Sequence, residues 1–399
     1  MSAQHPDVVN WAEDFDHTDP QWAADPFPIW SELRSECPVA HSERFGGTWL
    51  PTTHEAIAAI AYDTEHFTSR GVIVGEGRPL MPAPQGFAPP ITSDPPFHHE
   101  ARRLLLPAFS PKTIAPYEAF TRAYCEELLA DVAGNDVVDA AKQYAQHIPT
   151  RVIAEMLGFP PEDADQFRTF VQNALETADL EVEERINNFV TLRDYLERQI
   201  QEHRDQPRDD LTSYLLTAEM DGQPLGEEHV GGTIALLLIA GIDTTWSAIG
   251  ASLWHLAKSP SDRQRLVDEP ELMTFAVEEL LRAYAPVTMA RLVTDDFEFN
   301  GCPMKKDDWV LLPFPAANRD PEFFDRADEV ILDREENRHA AFGLGIHRCV
   351  GSNLARMELR VALEVWLEHF PAFSLDDPAA VTWSGGQVRG PRQLPVRIG

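Results

Sequence analysis

Residues 342–351 read Phe-Gly-Leu-Gly-Ile-His-Arg-Cys-Val-Gly, and the interpretation of the whole chain depends on them. Cys349 stands between glycines, directly before an amphipathic segment that predicts a helix over residues 350–370. A cysteine at the start of a helix faces the first unpaired N–H groups and the positive end of the helix dipole. Because such surroundings lower the pKa of a thiol, we expect Cys349 to be a thiolate that binds a metal.

The alternative is a buried structural cysteine in a glycine-rich turn, the usual role of a lone cysteine. The stretch nevertheless matches every fixed position of the pattern Phe-Gly-x-Gly-x-His-x-Cys-x-Gly. It therefore resembles the cysteine-ligand loop of the cytochrome P-450 haem-thiolate monooxygenases. The resemblance implies that Cys349 is the iron ligand of haem b. It also implies further cofactor contacts from Phe342, Gly343, His347 and Gly351.

Composition restricts the partners and the location of the protein. The net charge of −32 over 399 residues argues against nucleic acid and anionic membranes as partners. The four cysteines form no CxxC pair and no disulfide framework, which fits a reducing cytoplasm. We expect neither a signal peptide nor a membrane anchor in the polar N-terminus. The apolar run at residues 233–240 is much shorter than the roughly 20 residues that span a bilayer.

The length would allow two or three domains, but no linker, repeat or change in composition divides the chain. The resemblance implies a single haem domain over residues 1–399, without a fused reductase. It would be mainly α, a large helical domain with a small β-rich subdomain. Amphipathic patterns predict helices at residues 114–133, 140–157, 162–177, 181–204, 209–217, 227–258 and 271–284.

Two further segments have distinctive compositions. Residues 292–310 predict a β-ribbon that turns at Asn300-Gly301. Residues 71–96 contain so many prolines and glycines that a long helix or a central strand is excluded. The resemblance implies that this second segment is a lid over the substrate pocket, with Met81 among the lining residues.

The predicted helix 227–258 contains a polar turn, Ala240-Gly241-Ile242-Asp243-Thr244-Thr245, after an apolar run that belongs in a protein interior. Burying an acid or a hydroxyl costs folding free energy unless the group is hydrogen-bonded, so such residues in a core helix have either partners or a function. Glycine and back-bonding threonines can open a groove that holds dioxygen, or they can simply kink the helix. The turn resembles the family's Ala-Gly-x-Asp-Thr motif. This implies that Thr244 hydrogen-bonds dioxygen, that Asp243 relays protons, and that Ala240 and Gly241 contact the haem.

Three basic residues are candidates for binding the haem propionates. His98 and Arg102 are four residues apart and share a helical face, where charge-assisted hydrogen bonds could hold a carboxylate. An ordinary solvated basic face is the alternative. The resemblance favours propionate binding and adds Arg291 for the second propionate. It also implies that Glu279 and Arg282 form a structural pair, completed by either Arg334 or Arg338 from the segment before the cysteine.

The resemblance implies a monooxygenase that inserts one atom of O2 into a hydrophobic substrate, by hydroxylation or O-dealkylation. Electrons would come from a ferredoxin or flavodoxin with an NAD(P)H-dependent reductase. The expected pocket is apolar and is lined by Leu236, Ile239, Ala240, Val287 and Met289. The expected docking patch for the electron donor is basic and comprises Arg103, Lys112, Arg348, Arg356 and Arg360.

Two other functions are compatible with a haem site. One is a peroxide-driven peroxygenase, and the other is a non-catalytic haem-binding protein that senses a ligand. The intact pair of Asp243 and Thr244 argues against both, because neither function needs an acid and an alcohol beside the oxygen site.

Overall fold

A computed structural model describes residues 6–75, 77, 83–175 and 182–398. Met81, predicted to line the lid, and residue 181, the predicted start of a helix, lie outside these ranges. In the described parts of residues 71–96 the chain forms turns and bends, without a helix or strand.

The longest element is the central helix, Glu227–Lys258, whose bounds agree with the prediction. Acidic Glu227 and Glu228 occupy its first turn, and His255 and Lys258 its last, as the helix dipole favours. Its length and composition would suffice to cross a membrane, but 67% of its most apolar 18-residue window is buried inside the protein. It is therefore the core helix of the fold, and other helices cover its apolar surface.

The remaining helices match the predicted pattern, with shifted ends. The predicted helix 140–157 is divided, since Ala141–Ala145 adopts a π-helical turn and the α-helix proper begins at His147. The helix after the cysteine begins at Ser352, not at residue 350, because Gly351 is its N-cap. The longer helices besides the central one are Phe27–Glu36, His54–Tyr62, Phe97–Leu105, Tyr117–Val132, His147–Leu157, Ala164–Leu175, Val182–Asp205, Leu211–Thr217, Pro260–Asp268, Met273–Ala283 and Ser352–His369.

The main sheet has five strands, in the spatial order Val39–Ser42, Thr48–Pro51, Trp309–Pro313, Thr288–Val293 and Phe67–Thr68. Its central antiparallel pair places Leu311 opposite Ala290. The predicted ribbon is present as the hairpin of Phe297–Phe299 and Cys302–Met304. Asn300 and Gly301 both have positive φ, 51° and 80°, which a tight two-residue hairpin turn requires. The predicted turn is thus confirmed.

Smaller sheets join distant parts of the chain. Phe373–Leu375, Pro395–Ile398 and Val137–Asp139 form a three-stranded sheet. Thr382–Trp383 pairs with Pro391–Gln393, and Glu219–Met220 pairs with Gln223–Pro224. The strand Pro391–Gln393 is important for the site, because it brings the C-terminal part of the chain against the central helix.

Most buried residues belong either to a large helical cluster or to a smaller cluster around the main sheet, and a third, small cluster comprises Phe45, Ala290, Leu292 and Trp309. Ile242 and Leu354 belong to the helical cluster, whereas Phe314 and Leu312 belong to the sheet cluster. Ala340 packs in the sheet cluster and Ala341 in the helical one. The segment that leads to Cys349 therefore passes from one core to the other, and the candidate site lies at their junction.

Candidate active site

The loop that carries Cys349 is held by its own backbone. The N–H of Cys349 donates to the carbonyl of Phe342 at 2.7 Å, and the N–H of Gly343 donates to Ala340 O at 2.8 Å. Gly343 and Gly345 have φ of 71° and 69°, which L side chains rarely adopt. A Cβ at Gly345 would also lie 2.2 Å from the carbonyl oxygen of Ala61. The loop can therefore fold back on itself only with glycine at these positions, and this fixes the sulfur.

The surroundings of Cys349 differ from the expected thiolate environment. Part of the side chain is accessible, yet protein surrounds it closely enough that burial raises the pKa of the thiol. The backbone N–H of Gly351 donates to the sulfur, and the charges of Arg102 and Arg348 also favour the thiolate, but burial outweighs them. The expectation of a lowered pKa was wrong for the protein by itself. A coordinating metal ion would deprotonate the thiol, since its charge exceeds that of these neighbours.

Two histidines lie together beside the cysteine loop. The rings of His98 and His347 have centroids 4.3 Å apart. Both ring nitrogens of His98 and Nε2 of His347 are buried, with no hydrogen-bond partner among the described residues. Burial and the neighbouring cations lower the pKa of His98 to about 4 and that of His347 to about 2. Buried polar atoms normally have partners, so these nitrogens indicate a polar group that the site is built to receive.

Two arginines, Arg291 and Arg102, lie near these histidines. Arg291 is 4% exposed, and Nη1 donates to Ala290 O at 2.7 Å. No carboxylate of the described residues lies within ion-pair distance, and burial lowers the pKa of Arg291 to about 10. Arg102 donates to the carbonyl of Arg348, next to the cysteine. Buried cations require anionic partners. This donor set therefore fits the two carboxylates of haem b, with Cys349 as the iron ligand.

The polar turn of the central helix is partly accessible. Ala240 is exposed and Thr244 half-buried, whereas Asp243 is only 2% exposed. The Thr244 hydroxyl donates to the carbonyl of Ala240 at 2.9 Å, so the back-bonding that was weighed as an alternative is present. The helix nevertheless continues without interruption through Gly241, whose absent Cβ would lie 3.2 Å from Ile153. The turn thus places a hydroxyl and an acid beside each other on an unbroken helix.

Asp243 is paired with a residue that the sequence did not indicate. Nη2 of Arg392, on the strand Pro391–Gln393, donates to Oδ1 of Asp243 at 2.7 Å. Nη1 of Arg392 donates to the Ser247 hydroxyl at 3.1 Å, and the guanidinium lies 4.3 Å from the ring centroid of Trp246. The 149 residues that separate Arg392 from Asp243 explain why no local pattern could reveal the pair.

The predicted pocket residues are more accessible than their neighbours. Leu236 and Ile239 are half-buried, whereas Leu237 and Leu238 between them are buried. On the strand Thr288–Val293 and just before it, Val287 and Met289 are half-buried and alternate with buried Thr288 and Ala290. Alternation of this kind places Val287 and Met289 on one face of the strand.

The structural pair predicted on the helix Met273–Ala283 is fully buried. Glu279 and Arg282 are both 0% exposed and form a bidentate pair at 2.8 Å. Nε of Arg334 lies 3.0 Å from Oε2 of Glu279, so Arg334 completes the network, and not Arg338. Arg282 also donates to the carbonyls of Asn318, Ala327 and Glu329. This network anchors the segment that leads into the cysteine loop.

A second ion pair supports the loop directly. Arg356 donates to both carboxylate oxygens of Glu278, at 2.6 and 2.8 Å, and His339 Nε2 lies 3.1 Å from Oε2. The Arg356 guanidinium lies 4.3 Å from the ring centroid of Phe342, the first residue of the loop. Burial by itself would raise the pKa of the Glu278 carboxyl, but the hydrogen bonds from Arg356 and His339 lower it to about 2. The acid that directly precedes Glu279 gave no separate signal in the sequence.

Comparison with known proteins identifies the family that this chain resembles. A model of the cytochrome P450 family matches residues 53–380. The polyketide biosynthesis cytochrome P450 PksS of Bacillus subtilis is 31% identical over 387 residues, 94% of this chain and 96% of the relative. Mycinamicin IV hydroxylase/epoxidase of Micromonospora griseorubida is 33% identical over 376 residues, 92% of this chain and 94% of the relative.

A solved structure agrees with these sequence matches. The crystal structure of CYP109E1 from Bacillus megaterium in complex with testosterone superimposes with a TM-score of 0.87 at 29% identity, covering 96% of this chain and all of the other. The expected fold, mainly α with small sheets, is therefore confirmed. The assignment of residues 1–399 to a single domain stays a prediction.

The Glu278 carboxylate should make a measurable contribution to the pH dependence of stability. Its pKa in the folded protein, about 2, lies below its ordinary value of 4.5, so the unfolded chain takes up this proton first. Stability should therefore fall as the pH drops from about 4.5 towards 2, by roughly 3 kcal/mol from this group. Urea unfolding of wild type and Glu278→Gln between pH 7 and 3 measures the difference. Equal pH slopes for the two proteins would contradict the assigned pair.

Proposed function

This chain belongs to the cytochrome P450 family, and we propose that it hydroxylates or O-dealkylates a hydrophobic organic molecule with electrons from an external donor. It is a P450 monooxygenase, with haem b as cofactor and O2 as co-substrate. The observation that carries the proposal is the polar turn of the central helix, where the Thr244 hydroxyl lies beside the buried acid Asp243 on an otherwise apolar helix.

In this proposal each residue of the site has one task. Cys349 binds the iron as a thiolate, and His98, His347, Arg102 and Arg291 hold the propionates by charge-assisted hydrogen bonds. With Cys349 as its ligand, bound haem b would supply the chemistry that activates O2. The remaining haem contacts are those implied by the motifs, namely Ala240, Gly241, Phe342, Gly343 and Gly351.

Thr244 and Asp243 deliver protons to the dioxygen co-substrate. The Thr244 hydroxyl can exchange its bond to Ala240 O for one to the dioxygen co-substrate, because a hydroxyl rotates about its C–O bond. Asp243, the preceding residue, is the acid through which protons reach this hydroxyl. A residue that holds a proton near the reacting oxygen accelerates proton-dependent steps by about 10²–10⁴-fold.

The substrate class follows from the pocket and from the relatives. Leu236, Ile239, Val287 and Met289 are apolar and partly accessible, as expected for a site that takes a hydrophobic ligand. The relatives are named for polyketide biosynthesis and for mycinamicin IV, and the solved structure contains testosterone. These names support a largely apolar organic substrate for this chain.

We further propose a ferredoxin or flavodoxin with an NAD(P)H-dependent reductase as electron source, in the cytoplasm, where the cysteines stay reduced. Of the predicted docking residues, Arg356 pairs with Glu278 and Arg360 with Glu118 and Glu364, so their charges are largely satisfied within the chain. Lys112 and Arg348 form no ion pair with any described residue. Arg103 pairs with Glu100, but its side chain is 67% exposed, so its charge remains at the surface. The patch is therefore best represented by Lys112, Arg348 and Arg103.

Replacing Thr244 by Ala should uncouple electron use from product formation, since it removes the hydroxyl that passes the proton. We expect product per NAD(P)H to fall about tenfold or more, with the difference released as hydrogen peroxide. Thr244→Ser, which keeps the hydroxyl, is the matched control and should stay coupled. Tight coupling in Thr244→Ala would contradict the relay. Full turnover by hydrogen peroxide, without any gain from reductase and NAD(P)H, would identify the alternative, a peroxygenase.

Reversing charges in the docking patch should weaken the reaction with an acidic electron donor. In Arg103→Glu/Lys112→Glu, donor-supported reduction at low salt should slow about tenfold, because charge steering accelerates encounter. The wild-type rate should fall with salt, and that of the variant less so. Arg193→Glu, a change on the helix Val182–Asp205, is the control. Equal rates and equal salt dependence in wild type and double variant would exclude this patch.

A further inference from the structure

Arg392 is the partner of the acid in the polar turn, and it comes from a different part of the chain. It lies on the strand Pro391–Gln393, which pairs with Thr382–Trp383 near the C-terminus. Its side chain is 14% exposed and that of Asp243 is 2% exposed, so the ion pair is largely withdrawn from water. A carboxylate buried to this extent needs a compensating charge, and Arg392 provides one at 2.7 Å.

The backbone is built to bring this arginine close to the helix. A Cβ at Gly390 would lie 2.3 Å from the Cβ of Ser247, and a Cβ at Gly250 would lie 3.3 Å from Pro391. The segment therefore lies directly on the central helix at the turn that follows Asp243. Such an approach is possible only where the side chain is absent.

Three contacts fix the orientation of the guanidinium. It donates to Asp243 through Nη2 and to Ser247 through Nη1, and it stacks on the indole of Trp246 at 4.3 Å. The planar guanidinium can make these contacts together because its donors have a fixed geometry. The Arg392 side chain is thus held on several sides. Because it donates to Oδ1 of Asp243, it also fixes the position of that oxygen.

We propose that Arg392 is the positioning residue for the proton-relay acid: it holds Asp243 as an oriented carboxylate beside Thr244. The inference rests on the proposed function of Asp243. In this proposal Arg392 acts through Asp243, and not by a contact of its own with substrate or cofactor. Removing the guanidinium takes away the donor that holds Oδ1 of Asp243, so the carboxylate can take up a proton or turn away from Thr244, and proton supply to Thr244 fails.

The test is a double-mutant cycle on the haem-loaded protein, with Arg392→Gln, Asp243→Asn and the combination of both. Product per NAD(P)H should fall about tenfold in each single variant. In the Asp243→Asn background, Arg392→Gln should add no further loss, because the acid that it positions is gone. Arg392→Lys, which keeps a positive charge but lacks the planar donors, should recover part of the yield.

A second readout does not depend on turnover. The midpoints of urea unfolding of the same variants should be non-additive, as expected for residues in direct contact. Arg389→Gln is the matched control, because Arg389 is another half-buried arginine of the same segment. Its guanidinium lies 4.1 Å from the Trp383 ring centroid and donates to the carbonyls of Ala23 and Ala24. This variant should lower stability but leave product per NAD(P)H unchanged.

The outcomes separate the two proposals. If Arg392→Gln lowers the product yield equally with and without Asp243, or leaves it unchanged while Asp243→Asn lowers it, the positioning role is overturned and the relay stands. If Asp243→Asn itself leaves the yield unchanged, the relay fails, and the role of Arg392 falls with it.

Discussion

The hydrogen bond from the N–H of Cys349 to the carbonyl of Phe342 is the constraint on which the site depends, because it fixes where the sulfur lies. Two ion-pair systems, one fully buried and one half-buried, support that bond. Glu279, Arg282 and Arg334 anchor the preceding segment, while Arg356 joins Glu278 to the ring of Phe342. Removing one partner of a buried pair leaves an uncompensated charge. The position of the loop therefore depends on ion pairs between residues outside the predicted set of haem contacts.

The polar turn of the central helix lies in an apolar interior, where its side chains need partners. A buried acid would be costly by itself. Here the strand Pro391–Gln393 supplies a guanidinium to Asp243, and the Thr244 hydroxyl is satisfied by the carbonyl of Ala240. The hydroxyl can leave that acceptor for another one. A carboxylate held by a guanidinium thus lies beside a hydroxyl that can exchange partners, which suits the proposed proton transfer to dioxygen.

Features encoded within a short stretch were predictable. The hairpin turn at Asn300-Gly301 and the bounds of the central helix both follow from local pattern. Pairings across long separations were not, such as Asp243 with Arg392, because no periodicity connects them. The pKa of Cys349 was misjudged for a related reason. The helix start is visible in the sequence, whereas the surrounding protein that raises the pKa is assembled from distant segments.

The most direct test of this account is the absorption spectrum of the reduced, carbon-monoxide-bound protein, measured for wild type and for Cys349→His. The account predicts a Soret band at the long wavelength typical of thiolate-ligated haem in the wild type, and a shift to the shorter, histidine-like position in the variant. A wild-type band at the shorter position would mean that Cys349 does not bind the iron as a thiolate. A protein that takes up no haem would contradict the assignment of the site altogether.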